Sequence, residues 1–247
     1  MLDDNEIIEI ISEYDLELKN TDPELVEIID NLICVDLKDE YMKLSYDERM
    51  IVILTTLITN QSVDLYEKLL TQALRNGFKP VIIKEMLYQT IVYVGLSKVY
   101  EFIDITNDIF DENGVDVPLP GQSITTNKTR KNEGYTIQAD HYGKDWLDMK
   151  IKSTPDNQKQ LWDYISAFGF GDIYTRGGIS QKQRELITLA VLVSLRGCED
   201  QLEIHMRGNL KVGNDENKII AVLMILIPYI GFPRIHNALK ILNKITI

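Results

Sequence analysis

Apolar residues recur along most of this chain at three- and four-residue intervals, the repeat of an amphipathic helix rather than of a strand. The spacing predicts helices over residues 4–18 and 22–36, the second opened by Thr21-Asp22-Pro23-Glu24 with proline in its first turn. Ser45-x-x-Glu48 and Ser180-x-x-Gln183 are capping boxes, each set before a long apolar run. Helices are expected at 62–76, 80–94 and 97–112 after the first box, and at 181–196, 198–212, 215–229 and 233–245 after the second. Pro228 should kink or shorten the third of the later group. Residues 191–195 and 219–227 are apolar enough for strands, but their length and the neighbouring caps favour buried helices. Nothing alternates strand with helix, so a nucleotide-binding fold is not expected and the class is all-α.

The two capped stretches read as copies. Residues 44–95 and 179–231 share an early arginine (Arg49, Arg184), a glycine after the second helix (Gly77, Gly213) and a closing Tyr-x-Gly ending at Gly95 and Gly231. The offsets are 184 − 49 = 135 and 213 − 77 = 231 − 95 = 136, so one residue was gained or lost between them. Placing that gap at Gly197 sets Ser62 opposite Cys198 and Leu69 opposite His205. Each copy is about 50 residues, too small to bury much surface alone, so the copies are expected to pack together. The organisation expected is 1–112 for the N-terminal helices and first, degenerate unit, 113–158 for a connector, and 159–247 for the second unit. The connector has little periodicity beyond short helices around Gln138 and Leu147.

Composition narrows the function. Of 247 residues, 45% are apolar and 26% charged, enough for a core and for solubility. The net charge is 26 − 38 = −12, which argues against nucleic acid as a partner. No apolar run reaches the roughly 18–20 residues of a membrane span, and the acidic N-terminus is unlike a signal peptide. A cytoplasmic location is therefore expected. Residues 170–240 depart from the acidic trend, with nine Lys/Arg against seven Asp/Glu. Such arginines are either solvated helix faces or holders of a small anion. Two cysteines make no disulfide framework, and Cys34, inside Leu32-Ile33-Cys34-Val35, reads as a small buried hydrophobe.

Candidate chemistry gathers in the second copy. Cys198 begins a helix, where free N–H groups and the helix dipole favour a thiolate and Glu199 and Asp200 oppose it. His205 shares its face seven residues on, yet the rise of roughly 10 Å is too long for a direct hydrogen bond. A bridging water, a substrate between them or a bend is needed. Gln201 is the true i,i+4 neighbour of His205. Arg184, Arg207, Gln201 and Tyr229 are the candidate substrate-binding groups. His141 and His236 are weaker candidates, and no His/Cys/carboxylate spacing fits a metal.

Arg184-Glu185-Leu186, Gly197-Cys198-Glu199, Leu202-Glu203-Ile204-His205, Gly208-Asn209, Pro228-Tyr229-Ile230-Gly231-Phe232-Pro233 and Asn237-Ala238-Leu239 resemble the carboxymuconolactone decarboxylase family, to whose superfamily alkylhydroperoxidase-D-like proteins belong. The resemblance covers about 183–242 and, more weakly, 45–95, and it implies an all-α fold of two tandem family units. It also implies one of two chemistries. The decarboxylase branch is cofactor-free and uses a histidine at the His205 position to handle the proton. The alkylhydroperoxidase branch reduces hydroperoxides through Cys-x-x-Cys with a following histidine; here Cys198 matches the first cysteine and Gln201 stands in place of the second. That branch would need an external or intersubunit thiol partner. A second histidine of the decarboxylase pattern is replaced by Ile225.

Three readings follow. A peroxiredoxin-type thiol oxidoreductase, with Cys198 as the attacking thiol and His205 as base, is placed narrowly first. A decarboxylase of a small carboxylated lactone would use His205 as proton donor and Arg184 or Arg207 to hold the carboxylate. The third reading is a non-enzymatic helical oligomer or ligand-binding protein. No cofactor is expected, the substrate is a small molecule, and a homotrimer of two-unit chains is the expected assembly.

Overall fold

Ser45 Oγ accepts Glu48 N–H at 3.3 Å while the Glu48 carboxylate accepts Ser45 N–H at 2.9 Å. Ser180 and Gln183 repeat the pair at 3.3 and 2.9 Å. Both expected boxes are thus formed, and each satisfies amide donors that a helix start leaves open.

The computed structural model describes residues 8–9 and 11–246. Helices α1 (Ile11–Tyr14), α2 (Leu16–Thr21) and α3 (Pro23–Asn31) lead through a π-helical turn at Leu32–Asp36 to α4 (Lys38–Met42). The run α5 (Tyr46–Thr59), α6 (Val63–Arg75), α7 (Pro80–Val94) and α8 (Leu96–Glu112) follows. The expected connector carries α9 (Arg130–Tyr142) and α10 (Lys144–Ser153); α11 (Gln160–Tyr164) then passes into a π-helix at Ile165–Tyr174. The chain closes with α12 (Gln181–Ser194), α13 (Glu199–Val212), α14 (Glu216–Ile225), α15 (Ile227–Ile230) and α16 (Phe232–Thr246). Among the described residues there is no strand, and no helix is long and apolar enough to cross a membrane.

Most of the helix expectations hold to within two residues. Pro228 acts as expected, ending α14 at Ile225 so that α15 restarts at Ile227. The helix expected over 4–18 lies partly outside the described residues. Its remainder breaks at Asp15, whose carboxylate caps α2 by accepting Leu18 N–H at 3.0 Å. The helix over 22–36 widens into π geometry at its last turn.

Helices α5 and α12 are apolar almost all round, and they pack on each other at the centre of the fold. A helix without a polar face has to be enclosed. Their arginines are enclosed with them, and both donate to carbonyl oxygens. Arg49 donates to Leu44 O at 2.9 Å, and Arg184 to Arg176 O at 2.8 Å.

The connector is part of the packed structure. Helix α9 crosses the π-helix so closely that a Cβ on Gly134 would overlap the Ser166 carbonyl, and one on Gly171 the Arg130 carbonyl. Ser166 Oγ donates to Gln138 Oε1 at 3.0 Å across the crossing. This contact seats Tyr142, the last residue of α9, against the second run of helices.

At the opposite end of the fold, Glu9 precedes α1 and is only 3% exposed, its Oε2 3.5 Å from Arg49 Nε. Burial pushes its pKa up to about 7, with Arg49 pulling it back. An unfolded glutamate titrates near 4.5. Between those values the folded chain keeps a proton that the unfolded chain has released. Stability from this group is therefore complete below about pH 4.5 and declines as pH rises to about 7, by on the order of 3 kcal/mol. Glu9→Gln should remove the decline and raise the melting temperature at pH 8 by several degrees, with little change at pH 4.5. A variant that melts lower at pH 8 would show that the ionised pair stabilises the fold.

Candidate functional site

His205 lies on α13 facing Glu185 on α12, and α9 brings Tyr142 to the same point. His205 Nδ1 is 2.9 Å from Tyr142 Oη and 3.2 Å from Glu185 Oε2. Tyr142 Oη donates to Glu185 Oε1 at 3.5 Å. Glu185 is fully buried and His205 is 8% exposed. Gly208 makes room for this approach, since a Cβ there would come 2.9 Å from Glu185 Oε2. Asn209 Nδ2 ties the two helices by donating to Glu185 O at 2.9 Å and His205 O at 3.0 Å.

A carboxylate only accepts hydrogen bonds, so the Glu185–Tyr142 pair fixes the proton on Nδ1 of His205. Burial, followed by the charge of Glu185, holds the Tyr142 phenol well above its ordinary pKa, so it stays a neutral donor. Nε2 is left without a hydrogen-bond partner among the described residues. It is the nitrogen free to exchange a proton.

His205 lines a cavity of about 330 Å³, with Val92, Tyr93, Leu161, Ile165 and Phe170 among its walls. None of the lining residues is Lys, Arg, Asp or Glu. One rim is a hydroxyl cluster in which Thr188 Oγ1 lies 3.0 Å from Tyr93 Oη and 2.6 Å from Tyr174 Oη, with the two phenols 3.1 Å apart. Burial raises the pKa of both tyrosines. The Tyr93 ring meets the imidazole edge-on, centroids 5.7 Å apart.

The other sequence candidates lie elsewhere. Arg184 is fully buried and spends its guanidinium on Gln89, Glu85 and the carbonyls of Arg176 and Gly177. Arg207 pairs with Glu203 at 3.0 Å and lines a separate cavity of about 350 Å³ with Tyr142 and Trp146. Gln201 is exposed on α13. Tyr229 sits with Tyr41 and Tyr14 at the N-terminal end of the fold. The Tyr-x-Gly tyrosine that reaches His205 is Tyr93, because α7 rather than α15 packs on the π-helix. His141 Nδ1 is 2.9 Å from Ile137 O.

Cys198 and His205 do not share the His205 cavity. The Cys198 thiol donates to Leu192 O at 3.3 Å and packs on the core. Its burial, then Glu199, raise its pKa, against a smaller pull from Arg234. The sign left open by the sequence is upward, away from a reactive thiolate. Cys198→Ser is accordingly expected to change turnover less than about twofold, and iodoacetamide should alkylate the native thiol more slowly than free cysteine at pH 7. Fast alkylation coupled to loss of turnover would contradict this.

The residues not foreseen are Glu185, Tyr142, Tyr93 and Tyr174. Glu185 left one signal, an acid at the head of the apolar stretch 186–193. Among the described residues, no three His, Cys, Asp or Glu side chains gather into a metal-binding group.

Comparison with known proteins points the same way. Residues 160–244 match the model of the carboxymuconolactone decarboxylase family. The 4-carboxymuconolactone decarboxylase of Acinetobacter baylyi is 24% identical over 116 residues, covering 47% of this chain and 86% of the relative. Nitrosuccinic acid decarboxylase npaB of Metarhizium robertsii is 23% identical over 113 residues, 46% of this chain and 78% of the relative. These matches support the family resemblance, and both relatives are named as decarboxylases.

Proposed function

We propose that this chain is a carboxymuconolactone-decarboxylase-like protein of two units, and that the second unit removes CO₂ from a small carboxylic acid with His205 supplying the proton. The two-unit reading is supported by the order of helices: α5, α6, α7 and α8 are answered by α12, α13, α14–α15 and α16, behind equivalent capping boxes. A π-helical segment precedes each run. At the positions of Glu185 and His205 the first run has Met50 and Leu69, both fully buried, so its equivalent site is chemically blank.

The observation that carries the proposal is an imidazole fixed by a buried carboxylate and opening on a cavity without charged walls. A carboxylate entering such a cavity loses hydration that neutral CO₂ does not need, which favours the transition state over the bound acid. As the C–C bond breaks, its electron pair moves onto the α-carbon and into the conjugated or electron-withdrawing group beside it. His205, protonated at Nε2 from solvent while Glu185 holds the proton at Nδ1, then gives the Nε2 proton to that carbon and returns to the neutral imidazole. Glu185 stabilises the imidazolium on the Nδ1 side, the orienting role of the buried acid in acid–histidine pairs. Tyr93 and Tyr174 are placed to hydrogen-bond the oxygen atoms of the bound acid.

The acids named by the two relatives are the first substrates to try. In D₂O the protein should release CO₂ and leave one deuteron on the carbon that carried it. Failure with these and with related small β-substituted acids would remove the proposal.

A further inference from the structure

A second cleft, of about 400 Å³, lies between α7, α8 and the loop at 117–122 and shares no lining residue with the His205 cavity. Lys84 reaches into it. Its residue is 8% exposed, and its ammonium is held only by the side-chain oxygen of Asn107 and the face of Phe110, 5.3 Å from the ring centre. Among the described residues Lys84 forms no ion pair. Glu85, the adjacent acid, is taken up by Arg176 at 2.9 Å and Arg184 at 3.1 Å, and Asp104 stands exposed outside pairing distance. Arg176 lies across the cleft with its guanidinium over the Tyr88 ring at 5.2 Å.

Around the cleft Lys84, Arg176 and Arg184 therefore stand against the buried carboxylate of Glu85 and the exposed one of Asp104, a local excess of one cation in a protein whose net charge is −12. An ammonium drawn out of water without a counter-ion is costly. Desolvation accordingly lowers the Lys84 pKa. Val81, Ile103, Pro118 and Leu119 form an apolar wall of the cleft, beside the polar side chains of Asn107 and Gln122. The loop is tied in place by Gly177 N–H donating to Gln122 O at 3.0 Å.

We infer that this cleft is a second small-molecule site, which takes an organic monocarboxylate with an apolar body and sets its carboxylate on Lys84 and Arg176. The ring or chain of the ligand would lie on Ile103 and Leu119, while the missing counter-charge is supplied by the ligand. The inference does not rest on the chemistry at His205. A connection between the two sites nevertheless exists, since Arg184 donates to Glu85 and to Gln89, and Gln89 donates to Thr188 of the hydroxyl cluster.

Benzoate is a suitable probe, with benzyl alcohol as its uncharged counterpart. Titrated into the full chain, benzoate should shift the amide NMR signals of Ile103, Leu119 and Gln122 saturably and raise the melting temperature. Benzyl alcohol should do neither at the same concentrations. Lys84→Met should weaken benzoate by about tenfold or more, the worth of one charge-assisted contact, and should itself melt higher without ligand because an unpaired buried charge is gone. Lys84→Gln serves the same purpose if the methionine variant does not fold. Absence of saturable shifts, shifts confined to the His205 cavity, or equal affinity in the Lys84 variants would overturn the inference.

Discussion

His205→Gln is expected to lower the rate of CO₂ release by on the order of 10³-fold, the usual contribution of a positioned proton donor. Glutamine is close in length and can still hydrogen-bond Tyr142 and Glu185, so the α12–α13 contact should survive. What it lacks is a ring nitrogen that can carry a proton to the substrate. The effect should fall on kcat with KM nearly unchanged, because the walls that enclose the acid are Val92, Phe170 and their neighbours rather than the imidazole. A variant with near-normal kcat would mean that another group protonates the product.

Glu185→Gln carries the second large expectation, a loss on the order of 10²-fold in kcat. Glu185 touches no part of the cavity and acts through His205, so it is a positioning residue. An amide in its place can donate as well as accept, and the proton on Nδ1 is no longer fixed. Two readouts separate this role from mere structural support. Glu185→Asp should recover part of the rate if the carboxylate is what matters, and the pH profile of kcat should change shape in Glu185→Gln but not in Asn209→Ala, which removes only the inter-helix tie. Loss of rate with an unchanged profile in both variants would assign Glu185 to packing alone.

Local rules made much of the fold legible. Ser45 and Ser180 form the boxes their spacing requires, Gly77 and Gly213 both sit at φ 91° where their helices end, and Pro228 breaks its helix where expected. The site was less legible because its parts come from five separate elements. Tyr93 and Tyr142 meet His205 only after α7 and α9 dock on the second run, and no periodicity encodes that docking. The closest signal was the glycine pair Gly134 and Gly171, which allows α9 to cross the π-helix at backbone contact. Cys198 drew notice by lying at a helix start, yet burial and the charge of Glu199 raise its pKa there. Arg184 looked like a carboxylate holder, while its position in an enclosed helix commits it to carbonyls and Glu85.

The decisive measurement is CO₂ release by wild type, His205→Gln and Cys198→Ser, compared side by side on one small carboxylic acid. If an imidazole steadied by Glu185 delivers the proton, the glutamine variant is nearly silent and the serine variant keeps pace with wild type. Turnover that disappears with the thiol and persists without the imidazole would contradict the account.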